Sequence, residues 1–404
     1  MDSKRVAIIG SGTAGAATAL YLSRAGHKVT LFEKVELPSA VGAGVMLQPS
    51  GMRVLQELGL EKEILQSGVR VNRLRATTQT GRTVLDLRYE QLDRKYFGLG
   101  LHRGALFQSL YGAVLSEGIE TVVGVEVEQV EQSESAGCTL VASDGRCFCG
   151  YDFVVVASGA RTALRKAVVI PHTVKEYAWG ALWFVAENGE FESGDCLRQY
   201  LVGTHTMLGF LPTGQGPLGG ASLTSVFWSI RADHVDDFRH HGLDHWKAGV
   251  LELAPKSKPI LDQIQSIDQL LFAPYFDVVL KRPFKGSVIF LGDAAHATSP
   301  QLGQGCNLAL VDAATLGAAV AGSETIAGAF EMYEQQRRSQ IRYYQWATRF
   351  LTPFFQSNSR MLGWIRDSFM GLSCKIPPIS KLMISTMCGL QNGLLSSCKD
   401  KENP

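Results

Sequence analysis

The chain has 404 residues, of which 46% are hydrophobic and 19% charged, with a formal net charge of +1. That is apolar material for a sizeable core in two or three domains, and the near-neutral balance points to no nucleic acid and no polyanionic partner. The eight cysteines are scattered without a C-x-x-C pair, as expected of reduced thiols in the cytoplasm.

In chain order, Met1-Asp2-Ser3-Lys4-Arg5 runs straight into a strand, which leaves no room for a cleavable signal. That strand, Val6-Ala7-Ile8-Ile9, is an uninterrupted apolar run of the kind buried on both faces of a parallel sheet. A Gly-rich turn leads into a helix of small residues from about Thr13 to Arg24, stopped by Gly26. A second strand, Val29 to Phe32, is closed by Glu33, and a helix follows from about Ser50 to Leu58. Residues 72–97 alternate around Thr80-Gly81 as an antiparallel hairpin. A helix is expected over Arg103 to about Ser116, then strands near 121–130, 138–142 and 153–157.

Between about 175 and 277 the character changes to alternating strands such as Ala181-Leu182-Trp183-Phe184-Val185 and Ser225-Val226-Phe227-Trp228, separated by one helix near 234–253. The buried parallel type returns at Val288 to Leu291, with a helix from about Cys306 to Val320. The longest apolar stretch, 307–322, contains Asp312 and falls short of the roughly 18–20 apolar residues of a membrane span. The last sixty residues read as helices broken at Pro353 and at Pro377-Pro378. The fold class is therefore α/β: a Rossmann-like nucleotide-binding domain (1–72, 98–174 and 278–345) is interrupted by a mainly antiparallel sheet domain (73–97 and 175–277). A helical segment (346–404) follows.

Gly10-Ser11-Gly12-Thr13-Ala14-Gly15 lies between a strand and a helix. Gly10 permits the tight turn, Gly12 admits a pyrophosphate to the helix N-terminus, and Gly15 lets helix and strand pack closely. Glu33 stands where a carboxylate takes the adenosine ribose hydroxyls and repels a 2′-phosphate. The second match, Gly214-Gln215-Gly216-Pro217-Leu218-Gly219, lies between two strands with Pro217 where a helix would have to begin, so it is read as a hairpin. Gly292-Asp293-Ala294-Ala295-His296 follows a strand and runs on through Pro300-Gln301-Leu302-Gly303-Gln304-Gly305-Cys306-Asn307 to Asp312-Ala313. An Asp there can accept from ribityl hydroxyls, and the Gly303 and Gly305 backbone can face the electron-rich edge of a reduced flavin.

These segments, with Gly42-Ala43-Gly44-Val45 through Pro49, Arg53 to Gly59-Leu60, and Leu101-His102-Arg103, resemble the FAD-dependent single-component aromatic hydroxylases. These are the para-hydroxybenzoate hydroxylase-like class A flavoprotein monooxygenases, and the resemblance spans about residues 5–345. It implies non-covalent FAD, with Arg103 on the pyrophosphate, Asp293 on the ribityl chain and the Leu302–Gly303 backbone on the isoalloxazine. Further FAD contacts are implied at Thr13, Ala14, Lys34, Ala43, Gly44, Val125, Gly292, Gly305, Cys306 and Asn307. NADPH or NADH would be the transient electron donor and O2 the oxidant. The substrate would be a small aromatic or quinone-like molecule, hydroxylated or epoxidised through a flavin C4a-hydroperoxide, beside Leu47, Pro300 and the sheet aromatics Trp183, Tyr200, Phe210 and Trp228.

One position departs from the family pattern. After the strand Phe153 to Ala157, Ser158 stands where the family carries an Asp, although Gly159, Thr162 and Arg165 persist to keep the turn and one cation. Normal NAD(P)H use is expected, with an oxidase or dehydrogenase, or a flavin-binding protein without turnover, as alternatives; the Trp-x-Trp-x-Ile-Pro run of flavin halogenases is absent. His296 is read as a structural histidine, with a proton relay as the sharper alternative. No metal site is expected: the His- and Asp-rich stretch 233–245 is read as a solvated face. The basic, aromatic-rich segment from Gln336 to Lys399, with Asp367 as its one acid, is read as packing over the flavin domain or forming a dimer contact. A peripheral membrane contact is the rival reading.

Overall fold

The computed structural model describes residues 1–39, 42–133, 135–191 and 194–393. Its centre is a six-stranded sheet in the order Phe284–Lys285, Val288–Phe290, Phe153–Val156, Arg5–Ile9, Lys28–Glu33, Glu120–Val123. All neighbours pair in parallel except the first two. Val6 and Ile8 point to one face, Ala7 and Ile9 to the other, and all four are buried. The first face packs under the helices Thr13–Arg24, Arg103–Ser116 and Gly305–Ala321. The second packs under an antiparallel meander of Val127–Ser133, Gly137–Ala142 and Cys147–Tyr151. This two-sided cover is why the strands read as unbroken apolar runs.

A seven-stranded sheet has the order Leu271–Leu280, His172–Glu187, Gly219–Arg231, Thr206–Gly216, Cys196–Val202, Arg73–Thr78, Thr83–Arg88. Only the Cys196–Val202 and Arg73–Thr78 pair is parallel. One of its faces is covered by Val235–His241, Leu243–Leu253 and Lys258–Leu261. A small sheet of Gly44–Leu47, Gly98–His102 and Val69–Val71 rests on it. The approach is so close that a Cβ on Gly100 would lie 1.9 Å from the Pro212 carbonyl oxygen.

Several local expectations change. The single strand expected near 121–130 is two, separated at Gly124, whose φ of 67° turns the chain. The strand Cys147–Tyr151 had no signal because its outer positions are exposed. The helix expected near 234–253 is split at Gly242, with φ 84°. Gly216 pairs with Gly219 across a hairpin, as the misplaced Pro217 requires. Pro353 does not break its helix: Ile326–Phe355 runs two residues past it, and the chain leaves helical geometry at Gln356. Pro377 instead opens the helix Pro377–Met387, where a missing N–H costs nothing. No helix among the described residues is long and apolar enough to cross a membrane.

Candidate active site

Two long helices begin side by side. Thr13–Arg24 has Gly12 as N-cap and Gly305–Ala321 has Gln304, and neither cap side chain bonds the first-turn N–H groups. Cys306 Sγ lies 3.9 Å from Thr13 Oγ1, so the two open helix ends meet at one place. Each presents unpaired donors and the positive end of a helix dipole, which is a setting for anionic or electron-rich groups. Burial pushes the Cys306 thiol up to about 11, so it is no thiolate despite its position.

Both ends open into one cavity of about 1410 Å³. That exceeds the roughly 300–1,000 Å³ of a usual ligand pocket and leaves room for a cofactor and a substrate together. Gly10, Gly12, Thr13, Ala14, Glu33, Lys34, Gly44, Arg103, Val125, Asp293, Pro300, Leu302, Gly303, Gly305 and Cys306 all line it. A Cβ at Gly12 or at Gly303, whose φ is +60°, would meet nothing within 4 Å, so both glycines border open space. Glu33 Oε2 accepts from the Ser11 N–H at 2.9 Å and hydroxyl at 2.7 Å, while Oε1 accepts from the Val35 N–H at 3.1 Å. Its carboxylate is fixed against the glycine loop with acceptor capacity to spare. These features fit the pyrophosphate and ribose of FAD.

Other expected residues stand behind the wall. Gly15 packs on Gly10, where a Cβ would lie 1.8 Å from the Gly10 oxygen. Ala43 accepts the Arg103 N–H at 2.9 Å, and Asn307 ties Gln48 N–H to the Met46 and Gly303 carbonyls. The Gly303 N–H is used internally, donating to Pro300 at 2.9 Å. The open donors near this edge are therefore those of the Gly305–Ala321 first turn rather than Gly303 itself.

His296 faces the core, not the cavity. Its Nε2 lies 2.6 Å from Asp312 Oδ2, which also accepts the Gly292 N–H at 2.9 Å. Arg337 Nε donates to Asp312 Oδ1 at 2.7 Å. Burial pulls the Asp312 carboxyl upward, but His296 and Arg337 outweigh it and hold the group below the usual carboxylate range. This buried network pins the Gly292 turn, with φ 56°, that carries Asp293.

Tyr200, Phe210 and Trp228 lie on the wrong side of the seven-stranded sheet, packed with Trp246 and Val250 under the covering helices. Leu47 is fully buried in the nucleotide core. The strand neighbours face the cavity instead: Gln199, Leu211 and Phe227, with Met207, Tyr275 and Trp183. Side chains alternate along a strand, and a one-residue error exchanges the two faces. Phe355, Gln356 and Met387 reach the same cavity from the C-terminal helices, with no motif to announce them.

At the altered turn, the Ser158 hydroxyl donates to Thr162 Oγ1 at 2.9 Å. Arg165 does not supply the cation expected near the phosphates: it is 3% exposed, its guanidinium bound to the Ala294 and Ala160 carbonyls, and Arg161 is the arginine of this turn that lines the cavity.

The family model described as an FAD binding domain matches residues 3–343. The chain is 28% identical over 320 residues to 3-amino-4-hydroxybenzoate 2-monooxygenase of Streptomyces cremeus, covering 77% of each chain. To 3-hydroxybenzoate 6-hydroxylase of Klebsiella oxytoca it is 26% identical over 362 residues, covering 85% of this chain and 87% of that one. The fold is shared with a point variant of Klebsiella pneumoniae HpxO complexed with FAD, at a TM-score of 0.81 and 19% identity over 96% of this chain and 99% of that one. With its two helix ends, its Glu33 loop and its Asp293 turn on one cavity, the chain belongs to the FAD binding domain family, among the FAD-dependent aromatic hydroxylases of the class A flavoprotein monooxygenases.

Proposed function

We propose that the chain is an FAD-dependent monooxygenase that takes electrons from NADPH or NADH and uses O2 to hydroxylate or epoxidise an electron-rich aromatic or quinone-type small molecule. The observation that carries this reading is the single cavity running from Glu33 and Gly12, past Asp293 and the Gly305–Ala321 helix end, to an apolar sheet wall. Bound FAD supplies the activation of O2 and the transfer of one oxygen atom.

This chain's residues bind, orient and exclude water. Glu33 would accept from the adenosine ribose, the open N-terminus at Thr13 and the Arg103 guanidinium would hold the pyrophosphate, and Asp293 would accept from the ribityl chain. The helix end at Gly305 would offer fixed N–H dipoles to the electron-rich part of the cofactor. Trp183, Met207, Leu211 and Phe227 keep the reacting end dry. The division into an FAD-binding unit (1–72, 98–174, 278–345), a substrate unit (73–97, 175–277) and a C-terminal segment (346–404) follows the same reading.

The test is direct. Purified protein should be yellow and release FAD on denaturation. NAD(P)H oxidation should rise with substrate, and product should carry one atom from labelled O2. A protein that stays colourless when dialysed against excess FAD ends the proposal. At the turn where the Ser158 hydroxyl donates to Thr162, the electron donor is the step to check, and an oxidase is what a failed reduction by nucleotide would leave. Anaerobic stopped-flow separates the two, since no bleaching by either nucleotide with substrate bound selects the oxidase.

We assign the C-terminal helices to an anionic membrane surface. On Arg360–Ser373 the outward stripe is apolar: Met361, Trp364, Phe369 and Leu372 are 55–67% exposed. Trp346 and Phe350 stack on the outside of the preceding helix. Arg342, Arg360, Lys375 and Lys381 have no carboxylate partner among the described residues, whereas Arg337, Arg338, Arg349 and Arg366 are paired. Exposed apolar side chains on a segment that also carries cations without carboxylate partners suit an anionic bilayer surface.

A further inference from the structure

We propose that the substrate is uncharged and largely apolar, a phenol or quinol that bears no carboxylate; the inference rests on the oxygenase reading above and narrows it. The cavity is divided by charge. Every charged side chain that lines it, among them Glu33, Arg103, Arg161 and Asp293, stands on the six-stranded sheet and the segments that follow its strands, on the meander, or at the start of the helix Arg103–Ser116. The facing wall comes from the seven-stranded sheet and the C-terminal helices. It presents Leu197, Met207, Leu211, Phe227, Phe355 and Met387, and among the described residues no Lys, Arg, His, Asp or Glu.

The polar groups on that wall are neutral. Burial pushes the Tyr275 phenol well above its ordinary value, so it stays protonated. Gln356 is 5% exposed, and its side-chain oxygen has no hydrogen-bond partner. A carboxylate against this wall brings a charge with no cation on the wall to meet it. The uncharged, largely apolar lining selects a neutral ring.

The experiment uses FAD-loaded protein and matched pairs: 2-naphthol against 6-hydroxy-2-naphthoate, and 4-propylphenol against 3-(4-hydroxyphenyl)propanoate. Each is titrated anaerobically while the flavin difference spectrum is followed, and then supplied with NAD(P)H and labelled O2. The neutral member of each pair should perturb the flavin at a concentration roughly a hundredfold below its acid, the penalty of an unpaired buried charge. Leu197→Arg, which places a cation on the uncharged wall, should narrow that gap. Acids that bind as well as or better than their neutral partners overturn the inference and leave the oxygenase reading intact. Flavin spectra untouched by any neutral member overturn it as well. Neutral ligands that bind and permit flavin reduction without labelled oxygen in any product leave the substrate class standing and remove the oxygenase reading instead.

Discussion

Asp312 serves three donors at once, and at the residue scale it is where the cofactor site depends on the core. Its carboxylate is held below the usual range, so the stability it contributes is fully present above its unfolded value, about 3.9. That contribution is lost as pH falls from there through the lower folded value. In Asp312→Asn the deficit in unfolding free energy against wild type should therefore be largest near pH 6 and shrink toward pH 3, read by denaturant titration at each pH. Removing the side chain with Asp312→Ala leaves Arg337 buried and unpaired, at about 3–5 kcal/mol. Asp293, on the turn that this network pins, should behave differently. Asp293→Ala should lose about 1.5–3 kcal/mol of charge-assisted hydrogen bonding to the cofactor, seen as a ten- to hundredfold weaker FAD affinity at unchanged apoprotein stability. Gly10, Gly12, Gly15 and Glu33 were legible in the sequence because backbone turns and phosphate contacts restrict residue type. The Asp312–Arg337 pair was not, because a buried ion pair between helices leaves no local pattern.

Among the elements, the seven-stranded sheet shows where sequence periodicity stops being informative. A strand with one wet face alternates polar and apolar residues, and the inward set can be read off. Here one face is covered by helices and the other by the cavity together with the C-terminal helices, so Phe210 and Leu211, or Phe227 and Trp228, are both apolar and alternation cannot say which faces the site. The two faces should separate under mutation. Phe210→Ala should cost about 3–5 kcal/mol of stability while leaving the order of substrate preference unchanged. Phe227→Ala should alter substrate affinity and uncouple NAD(P)H oxidation from product formation at a smaller stability cost. A Phe210→Ala enzyme with altered preference and wild-type stability would show that the faces are assigned the wrong way round. Helices fared better: Arg103–Ser116 was delimited correctly from sequence, and Gly305–Ala321 to within a residue at each end. The end of Ile326–Phe355 was missed because one proline in a thirty-residue helix removes one hydrogen bond, less than that helix gains by packing.

On the scale of the whole molecule, the exposed apolar stripe of Arg360–Ser373 predicts reversible adsorption to membranes. The protein should co-sediment with vesicles containing phosphatidylserine, less with phosphatidylcholine alone, and less again in 0.5 M salt, where the Debye length falls to only a few ångströms. Met361→Ser with Trp364→Ser should reduce that binding while leaving FAD content unchanged. A monomer–dimer equilibrium abolished by the same two substitutions, with no vesicle binding, would assign the stripe to a second copy of the chain.

The parallel pairing of Phe153–Val156 with Val288–Phe290 has a consequence for how the protein is made. The earlier strand leaves the ribosome roughly 130 residues ahead of its neighbour, on the order of ten seconds at ~5–20 residues per second. Until then the nascent sheet ends in an apolar strand with an open edge, a template for pairing with other chains. The flavin cannot close that interval, because Asp293 and the Gly305 helix end emerge later still. Expression of this enzyme should therefore be limited by what shields that edge during synthesis, and chaperone supply should raise its soluble yield more than added riboflavin does.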